Sequence, residues 1–400
     1  MNNILNRSRG NAKWLTEVRR TLHSTPETGF DTKNTAAFVT TELEKMGIEA
    51  KGCGRAGITA TVGSGGPVFL LRADMDALPI REEAELPFAA TNGNMHACGH
   101  DMHTAMLLGA ARLLKAHEKE LKGTVKLMFQ SAEELFEGAK DMIDNGILEN
   151  PRADAGMMVH VMSGMPVPTG TVIVCDGGVS APGADFFTVK IQGKGCHGSM
   201  PNTGIDPITV GAHVILALQE LHSRELSLAD RAVLTVGSIH AGQAPNIIPD
   251  TLELSGSMRT FDEEMRGYLK ERIESIAAAI AQAYRATAQI TWGPGCPALQ
   301  NDEALSRDTF RWTQELLGPG KALSPSSFGS RKGTKLTGSE DFAYISQKIP
   351  TIMVSLAAGN PADGHNFPLH HPKVTFDEEA LPVGAAVLAN TALRWLENHK

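Results

Sequence analysis

One short stretch, His96 to His103, contains three histidines, a cysteine and an aspartate immediately before a helix-like segment. Cys98 and His100 are two positions apart, and side chains at that spacing point to the same side of an extended chain. A thiolate and an imidazole that converge, joined by carboxylates from elsewhere, suit Zn²⁺ or a neighbouring divalent transition metal better than Mg²⁺ or Ca²⁺. The stretch therefore predicts a metal site.

Adjacent carboxylates, Glu133 and Glu134, follow the apolar run "TVKLMFQS", where a strand is predicted to give way to a helix. Neighbouring side chains on a helix diverge by about 100°, so we expect the two acids to have different roles. One can bind metal while the other takes a proton from water. The alternative interpretation is that both complement the positive end of the helix dipole.

Two distant histidines could complete such a site. His160 interrupts an apolar run in "MMVHV", and His370 lies in "LHHP". Either one alone is more often a hydrogen-bonded structural residue than a ligand. A competing chemistry has Cys98 as a nucleophile activated by His100 or His96. The paired glutamates argue against it, because a thiol hydrolase has no need of them.

The bulk composition argues against several classes of protein. The chain of 400 residues has a net charge of −8 and no basic run, which disfavours nucleic acid as a partner. Its first residues lack the apolar stretch of a signal peptide, and no apolar run approaches the roughly 18 residues of a membrane span. The five cysteines are scattered and odd in number, so we expect no disulfide framework and a cytoplasmic location.

The elements that must position the polar residues alternate between helix and strand. Apolar runs typical of buried parallel strands lie at 67–74, 124–131, 153–161 and 351–359. Polar residues stand at or soon after the ends of these runs, and open α/β sheets carry their sites beyond the carboxyl ends of the strands. We predict an α/β fold with a parallel or mixed sheet and helices on both faces.

The middle of the chain follows a different pattern. Segments with strand and helix periodicity occur in the order β-α-β-β-α-β over 184–295, which is typical of a small ferredoxin-like α+β domain. We predict that this domain is inserted between 1–183 and 296–400, which together form the catalytic, metal-binding domain. The segment 323–338 is predicted to be an exposed loop.

Five motifs stand in one order: "LRADMDALPI" (71–80), "MHACGHDMHTAMLLGAA" (95–111), "AEELFEGAKDMIDNG" (132–146), "GCHGSMPNTGIDP" (195–207) and "PNIIPD" (245–250). With them the chain resembles the hippurate hydrolase and auxin-conjugate amidohydrolase branch of the metallopeptidases that include aminoacylase and carboxypeptidase G. The resemblance covers nearly the whole chain, from 23–30 to 369–396.

The resemblance implies a zinc-exopeptidase-like domain that binds two divalent transition metal ions, which could be zinc, manganese, cobalt or nickel. The family's ligand positions match Cys98, His100, Glu134, His160 and His370. Its general base matches Glu133, and Asp76 matches a carboxylate that supports the ligands.

The resemblance further implies that the inserted domain forms a lid, mediates homodimerisation and completes the active site, often across the dimer. His197 would stabilise the oxyanion, while Asn246 and Arg259 would hold the carboxylate of the substrate. The chain departs from the family pattern beside the site, where a proline and three glycines are usual, at Ser131, Leu135, Phe136 and Cys196. Such bulk is expected to alter the preference for the acyl group.

We therefore expect an amidohydrolase that cleaves N-acyl or N-aroyl amino acids, such as hippurate-like substrates, with no nucleic-acid or membrane partner. A dipeptidase, or a deacylase of an acylated biosynthetic intermediate, is the alternative on the same scaffold. A metal-dependent binding protein without turnover is a more distant alternative, because it would not need Glu133 as a general base. A purely structural zinc site does not fit ligands spread from residue 98 to residue 370.

Overall fold

A computed structural model of the chain describes residues 4–325 and 338–399. The chain divides into two compact units. The first unit consists of Met1–Ser180, Gln300–Lys335 and Tyr344–Lys400, and the second of Ala181–Leu299 and Leu336–Ala343. The sequence pattern did not predict that the short segment Leu336–Ala343 belongs to the second unit. Most of the loop predicted at 323–338 lies outside the described residues.

The strands of the described residues are β1 (Ala50–Cys53), β2 (Gly57–Gly63), β3 (Val68–Asp74), β4 (Thr124–Gln130), β5 (Ala155–Met162), β6 (Val172–Val174), β7 (Gly178–Ala181), β8 (Gly183–Gln192), β9 (Cys196–His197), β10 (Ala232–Ala241), β11 (Ile247–Ile248), β12 (Thr251–Thr260), β13 (Thr287–Cys296), β14 (Leu299–Asn301), β15 (Ala322–Leu323) and β16 (Thr351–Ala357).

The α-helices are α1 (Ile4–Gly10), α2 (Ala12–Ser24), α3 (Lys33–Lys45), α4 (His100–Ala116), α5 (Gly138–Asp144), α6 (Pro207–Glu220), α7 (Glu263–Ala283), α8 (Glu303–Leu317), α9 (Ala343–Ser346) and α10 (Ala380–Asn398).

The first unit is built on an eight-stranded sheet with the order β1-β2-β4-β3-β5-β16-β6-β15. The four central strands, β4, β3, β5 and β16, are parallel to one another. Every residue of β3, β4 and β16 is buried, which is why these strands read as continuous apolar runs rather than as alternating ones. The four runs predicted as parallel strands are thereby confirmed.

Helix α4 leads directly out of the histidine-rich stretch and lies in the core of the first unit. Fourteen of its 17 residues are buried, and it packs against α2, α10 and the central strands. A Cβ added at Gly109 would lie 2.8 Å from the side chains of Ala385 and Leu15, so this glycine allows α2 and α10 to approach α4 closely. The first residues of α4 therefore pack into the same hydrophobic core as the central strands.

The second unit contains a four-stranded antiparallel sheet with the order β10-β12-β8-β13. Exposure alternates along most of β10 and β13, as expected for a sheet with one covered face. Helices α6 and α7 begin at aspartate N-caps, Asp206 and Asp262, whose carboxylates accept backbone N–H groups. Their apolar faces and those of the strands form a separate core, and the β-α-β-β-α-β order is confirmed.

The α/β class is confirmed, with a mixed sheet and a second α+β unit. Among the helices of the described residues, none is both long and apolar enough to cross a bilayer.

Candidate metal centre

The predicted ligands gather at the carboxyl ends of the central parallel strands. Asp76 follows β3, Glu133 and Glu134 follow β4, His160 lies near the end of β5, and His370 comes after β16. Because the carboxyl ends of parallel strands meet at one edge of a sheet, side chains far apart in the sequence become neighbours.

Cys98 and His100 converge, but not through an extended chain as the sequence argument supposed. Gly99 between them has a φ of 85°, and His100 is already the first residue of α4. This left-handed conformation favours glycine, and a Cβ at Gly99 would lie 2.4 Å from Cγ2 of Val161. The strand-to-helix corner therefore requires a glycine for both its backbone conformation and its packing.

The adjacent glutamates also differ from the prediction. Glu133 and Glu134 lie in a turn between β4 and α5, and α5 begins only at Gly138, so the divergence of helical neighbours does not apply. The Asp76 carboxylate accepts the backbone N–H of Glu133 at 3.0 Å and that of Glu134 at 3.3 Å. Phe136, where glycine was the residue expected from the family pattern, has a φ of 55°. Asp76 therefore fixes a strained turn that carries both acids.

Several groups of three side chains could hold a metal ion, and two of these groups share Cys98. One group is Cys98, His100 and His160, and the other is Cys98, Glu134 and His370; within each group the ligand atoms lie within 4.8 Å of one another. His160 Nε2 lies 3.6 Å from Cys98 Sγ, and His370 Nε2 lies 3.3 Å from Glu134 Oε1. The structure thus brings together all five positions predicted as ligands, and it places Glu133 in a third group with His100 and Glu134.

In His100 and in His160, one ring nitrogen donates a hydrogen bond to a backbone carbonyl. His100 donates from Nδ1 to the carbonyl of Asp76 at 2.7 Å, and His160 donates from Nδ1 to the carbonyl of Val161 at 2.7 Å. In both rings Nε2 is the atom left to act as a ligand. His370 is anchored differently, because its backbone N–H donates to the carbonyl of Ala97 at 2.9 Å.

Burial and charge give these histidines very different proton affinities. Burial lowers the pKa of His160 to about 3, so its imidazole is neutral. Burial alone would lower the pKa of His100, but the charge of Asp74 and the bond to Asp76 hold it well above its usual value. Contacts with Cys98 and then Glu134 raise the pKa of His370 to about 10. The surroundings of His100 and His370 therefore favour positive charge.

The donor atoms fit a divalent transition metal. Among the described residues, buried His100 Nε2 and Glu134 Oε1 make no well-aligned hydrogen bond, although unpaired buried polar atoms are costly. A bound cation would satisfy both atoms. Thiolate, imidazole and carboxylate donors together are typical of zinc and its neighbours rather than of Ca²⁺.

The residues predicted in the second unit are more exposed. His197 and Asn246 are brought together by the short ladder of β9 and β11, in which His197 pairs with Ile247 and the Gly198 N–H donates to Asn246. Arg259 is on β12, where its Nη1 donates to Ser339 Oγ at 2.7 Å.

Several buried residues near the site had no role predicted from the sequence. His103 and Asp74 form a hydrogen bond of 2.6 Å, and the spacing of three between His100 and His103 on a predicted helix could have revealed that both share one face. Arg19 donates to Asp101 at 2.7 Å, with both side chains buried. No signal in the sequence connected these last two residues.

Comparison with known proteins decides the family. Residues 70–394 match the profile of Peptidase family M20/M25/M40. The chain belongs to this family. The resemblance inferred from the sequence motifs is therefore confirmed.

Relatives of this M20 chain match over nearly their full lengths. An N-acetylcysteine deacetylase of Bacillus subtilis is 38% identical, with 96% of this chain and 98% of the relative covered. IAA-amino acid hydrolase ILR1-like 4 of Arabidopsis thaliana is 39% identical, with 96% and 86% covered. A solved Bacillus subtilis structure, described as a dinuclear metal binding peptidase of family M20, has 34% identity and a TM-score of 0.78, with 97% and 99% covered. This M20 chain is a metal-dependent hydrolase that acts on amide bonds.

Proposed function

We propose that the protein cleaves the amide bond of N-acyl and N-aroyl amino acids, including hippurate-like substrates, to give a carboxylic acid and a free amino acid. The observation that carries this proposal is the position of Glu133, a buried carboxylate beside two ligand groups that share Cys98. The names of the relatives support the substrate class, because they describe hydrolysis of acyl groups joined to amino acids.

Two divalent ions, which could be zinc, manganese, cobalt or nickel, would be held by Cys98, His100, Glu134, His160 and His370. The sharing of Cys98 between the two groups supports a pair of ions rather than one. When bound, such ions polarise the amide carbonyl and make a water molecule more acidic.

Glu133 acts first as a base and then as an acid. It takes a proton from the attacking water as the water oxygen bonds to the amide carbon. It then delivers this proton to the amide nitrogen as the C–N bond breaks and the amine departs. Asp76 positions Glu133 by accepting its backbone N–H, so the base is held where the turn places it.

The inserted unit, 184–295, would complete the site as a lid and mediate a homodimer. His197 would donate to the developing oxyanion. Its Nδ1 accepts the backbone N–H of Ser199 at 3.2 Å, which leaves Nε2–H as the donor of the neutral ring. Asn246 and Arg259 would bind the free carboxylate of the substrate.

The main alternative is a deacylase with a small acyl group, which the name of the Bacillus subtilis relative favours. Leu135, next to Glu134 in the sequence, has 46% of its surface exposed, and its bulk would limit the acyl group. A dipeptidase remains the other alternative on this scaffold. A binding protein without turnover would have no need of a general base at Glu133.

A release assay distinguishes these functions. Metal-stripped protein is supplied with each of the four ions in turn and offered hippurate, N-acetylcysteine, an indole-acyl amino acid and a dipeptide. We expect the acyl amino acids to be cleaved faster than the dipeptide. A preference for N-acetylcysteine over every aroyl substrate would favour the deacylase. Preferential cleavage of the dipeptide, with its free amino group, would overturn the proposal.

A further inference from the structure

His103 has a buried position between two of the proposed ligands. It lies one helical turn after His100 on α4 and is 2% exposed. Its ring stacks against that of His100 with centroids 5.4 Å apart, and it meets the ring of His160 edge-on at 4.7 Å. A change in its position would therefore displace both neighbouring imidazoles.

Both ring nitrogens of His103 have partners. Nε2 accepts the backbone N–H of Val161 at 2.8 Å. Because a backbone N–H can only donate, Nε2 of His103 carries no proton. The proton is therefore on Nδ1, which donates to Asp74 Oδ1 at 2.6 Å. These two contacts fix the tautomer of the ring and leave no nitrogen available for a metal ion.

Both carboxylate oxygens of Asp74 also have hydrogen-bond partners. Its Oδ1 accepts from His103, and its Oδ2 accepts from Arg72 Nη1 at 2.7 Å, with both side chains fully buried. Asp74, His100 and His103 also lie close enough to form a further candidate ion site. The hydrogen bonds argue against that use, because the carboxylate and the imidazole already satisfy each other.

The contact of His103 Nε2 with Val161 connects these residues to β5, the strand that contains His160. Strand β3 pairs with β5 only as far as Arg72 and Met158. Further along β5, a side chain rather than a strand receives the N–H of Val161. The carbonyl of Val161 accepts from Nδ1 of His160, so one residue links the ring of His103 to the ring of His160.

We propose that His103, held by Asp74 and Arg72, is a positioning residue that fixes His100 and His160 for metal binding. This inference rests on the proposed metal centre. Removal of partners behind metal ligands typically weakens metal binding by about 10- to 100-fold. The same loss is expected here, without a change in the number of ions bound at saturation.

Three variants of the full chain test the proposal. His103→Leu removes both hydrogen bonds, and His103→Gln can keep the acceptor for Val161 because its amide oxygen reaches the place of Nε2. His117→Gln, at the half-buried C-cap of the same helix, is the control. The readouts are the dissociation constant and stoichiometry of Co²⁺, the absorption spectrum of the Co²⁺ protein, and thermal unfolding of the metal-free protein.

We expect His103→Leu to bind Co²⁺ about 10- to 100-fold more weakly with an altered spectrum, His103→Gln to recover part of the affinity, and His117→Gln to match the wild type. If His103→Leu does not fold, His103→Gln must still bind more weakly than the wild type. Wild-type affinity and spectrum in folded His103 variants would overturn the inference, as would the outright loss of one ion, which would make His103 a ligand. Failure of the wild-type protein itself to bind Co²⁺ would instead overturn the proposed function.

Discussion

The two regions that contain the predicted site residues differ in how firmly their side chains are held. In the first unit, His100, Glu133 and His160 are buried, and backbone hydrogen bonds fix each one. In the second unit, His197 lies on a ladder of two residues per strand, Asn246 directly precedes the partner strand, and both are exposed. The proposed ligands of the first region are held rigidly in the interior, whereas the proposed substrate contacts of the second are open to solvent. Changes in the first should therefore affect metal and turnover, and changes in the second should affect the substrate.

The largest effect is expected for the base. Glu133→Gln should keep the metal ions and lower turnover by about 10² to 10⁴-fold, because only proton transfer is lost. Glu134→Gln should instead lower metal occupancy. Metal analysis and single-turnover rates on both proteins separate the two roles.

Glu137→Gln provides the matched control, since Glu137 follows the same turn and pairs with exposed Arg55 at the surface. It should change neither measurement. Equal metal loss in the Glu133 and Glu134 variants would mean that the roles of the two adjacent carboxylates are wrongly assigned.

A smaller effect is expected for the proposed oxyanion donor. His197→Ala should lower kcat by about 10²-fold and leave metal content unchanged, because its contact strengthens as charge develops on the carbonyl oxygen. His240→Ala, at an exposed position of β10 in the same unit, is the control. A rise in KM with unchanged kcat would give His197 a role in ground-state binding instead.

Arg259→Ala should act on substrate binding. We expect KM for substrates with a free carboxylate to rise about tenfold, because one charged hydrogen bond is lost. Carboxamide analogues should be affected much less. Arg224→Ala, which removes a hydrogen bond to the carbonyl of neighbouring Ser223, should leave both substrates unaffected. Equal rises in KM for the acid substrates and their carboxamide analogues would show that Arg259 does not bind the substrate carboxylate.

The weakest signal is expected from mixed subunits. If His197 acts across a homodimer, mixing inactive Glu133→Gln with inactive His197→Ala protein should restore up to about a quarter of wild-type activity. Random exchange makes roughly half of the dimers mixed, and each of these has one complete site. No recovery in dimers shown to be mixed would confine His197 to its own subunit or exclude it from the site.

The fold and the grouping of the ligands could be read from the sequence, because both depend on strong local patterns. Continuous apolar runs identified β3, β4, β5 and β16, and the polar residues at their ends must meet at one sheet edge. The local geometry could not be read in the same way. Gly99 turns the chain between Cys98 and His100, and the glutamates lie in a turn rather than on a helix.

Contacts between distant segments were the least predictable. The bond from Val161 to His103 joins residues 58 positions apart, and that from Arg19 to Asp101 joins residues 82 apart. Such pairs leave no periodic trace in a single sequence, since neither partner changes the local pattern of its own element. The assignment of Leu336–Ala343 to the second unit is of the same kind.

Metal titration shows whether hydrolysis depends on ions bound at Cys98 and its neighbours. Metal-free protein is titrated with a divalent transition metal while ion content and amide hydrolysis are followed together. We expect no turnover without metal, and activity that returns as the content approaches two ions per chain, with Cys98→Ala failing to recover. Full turnover in metal-free protein, abolished by alkylation of Cys98, would contradict it and identify the cysteine as the nucleophile.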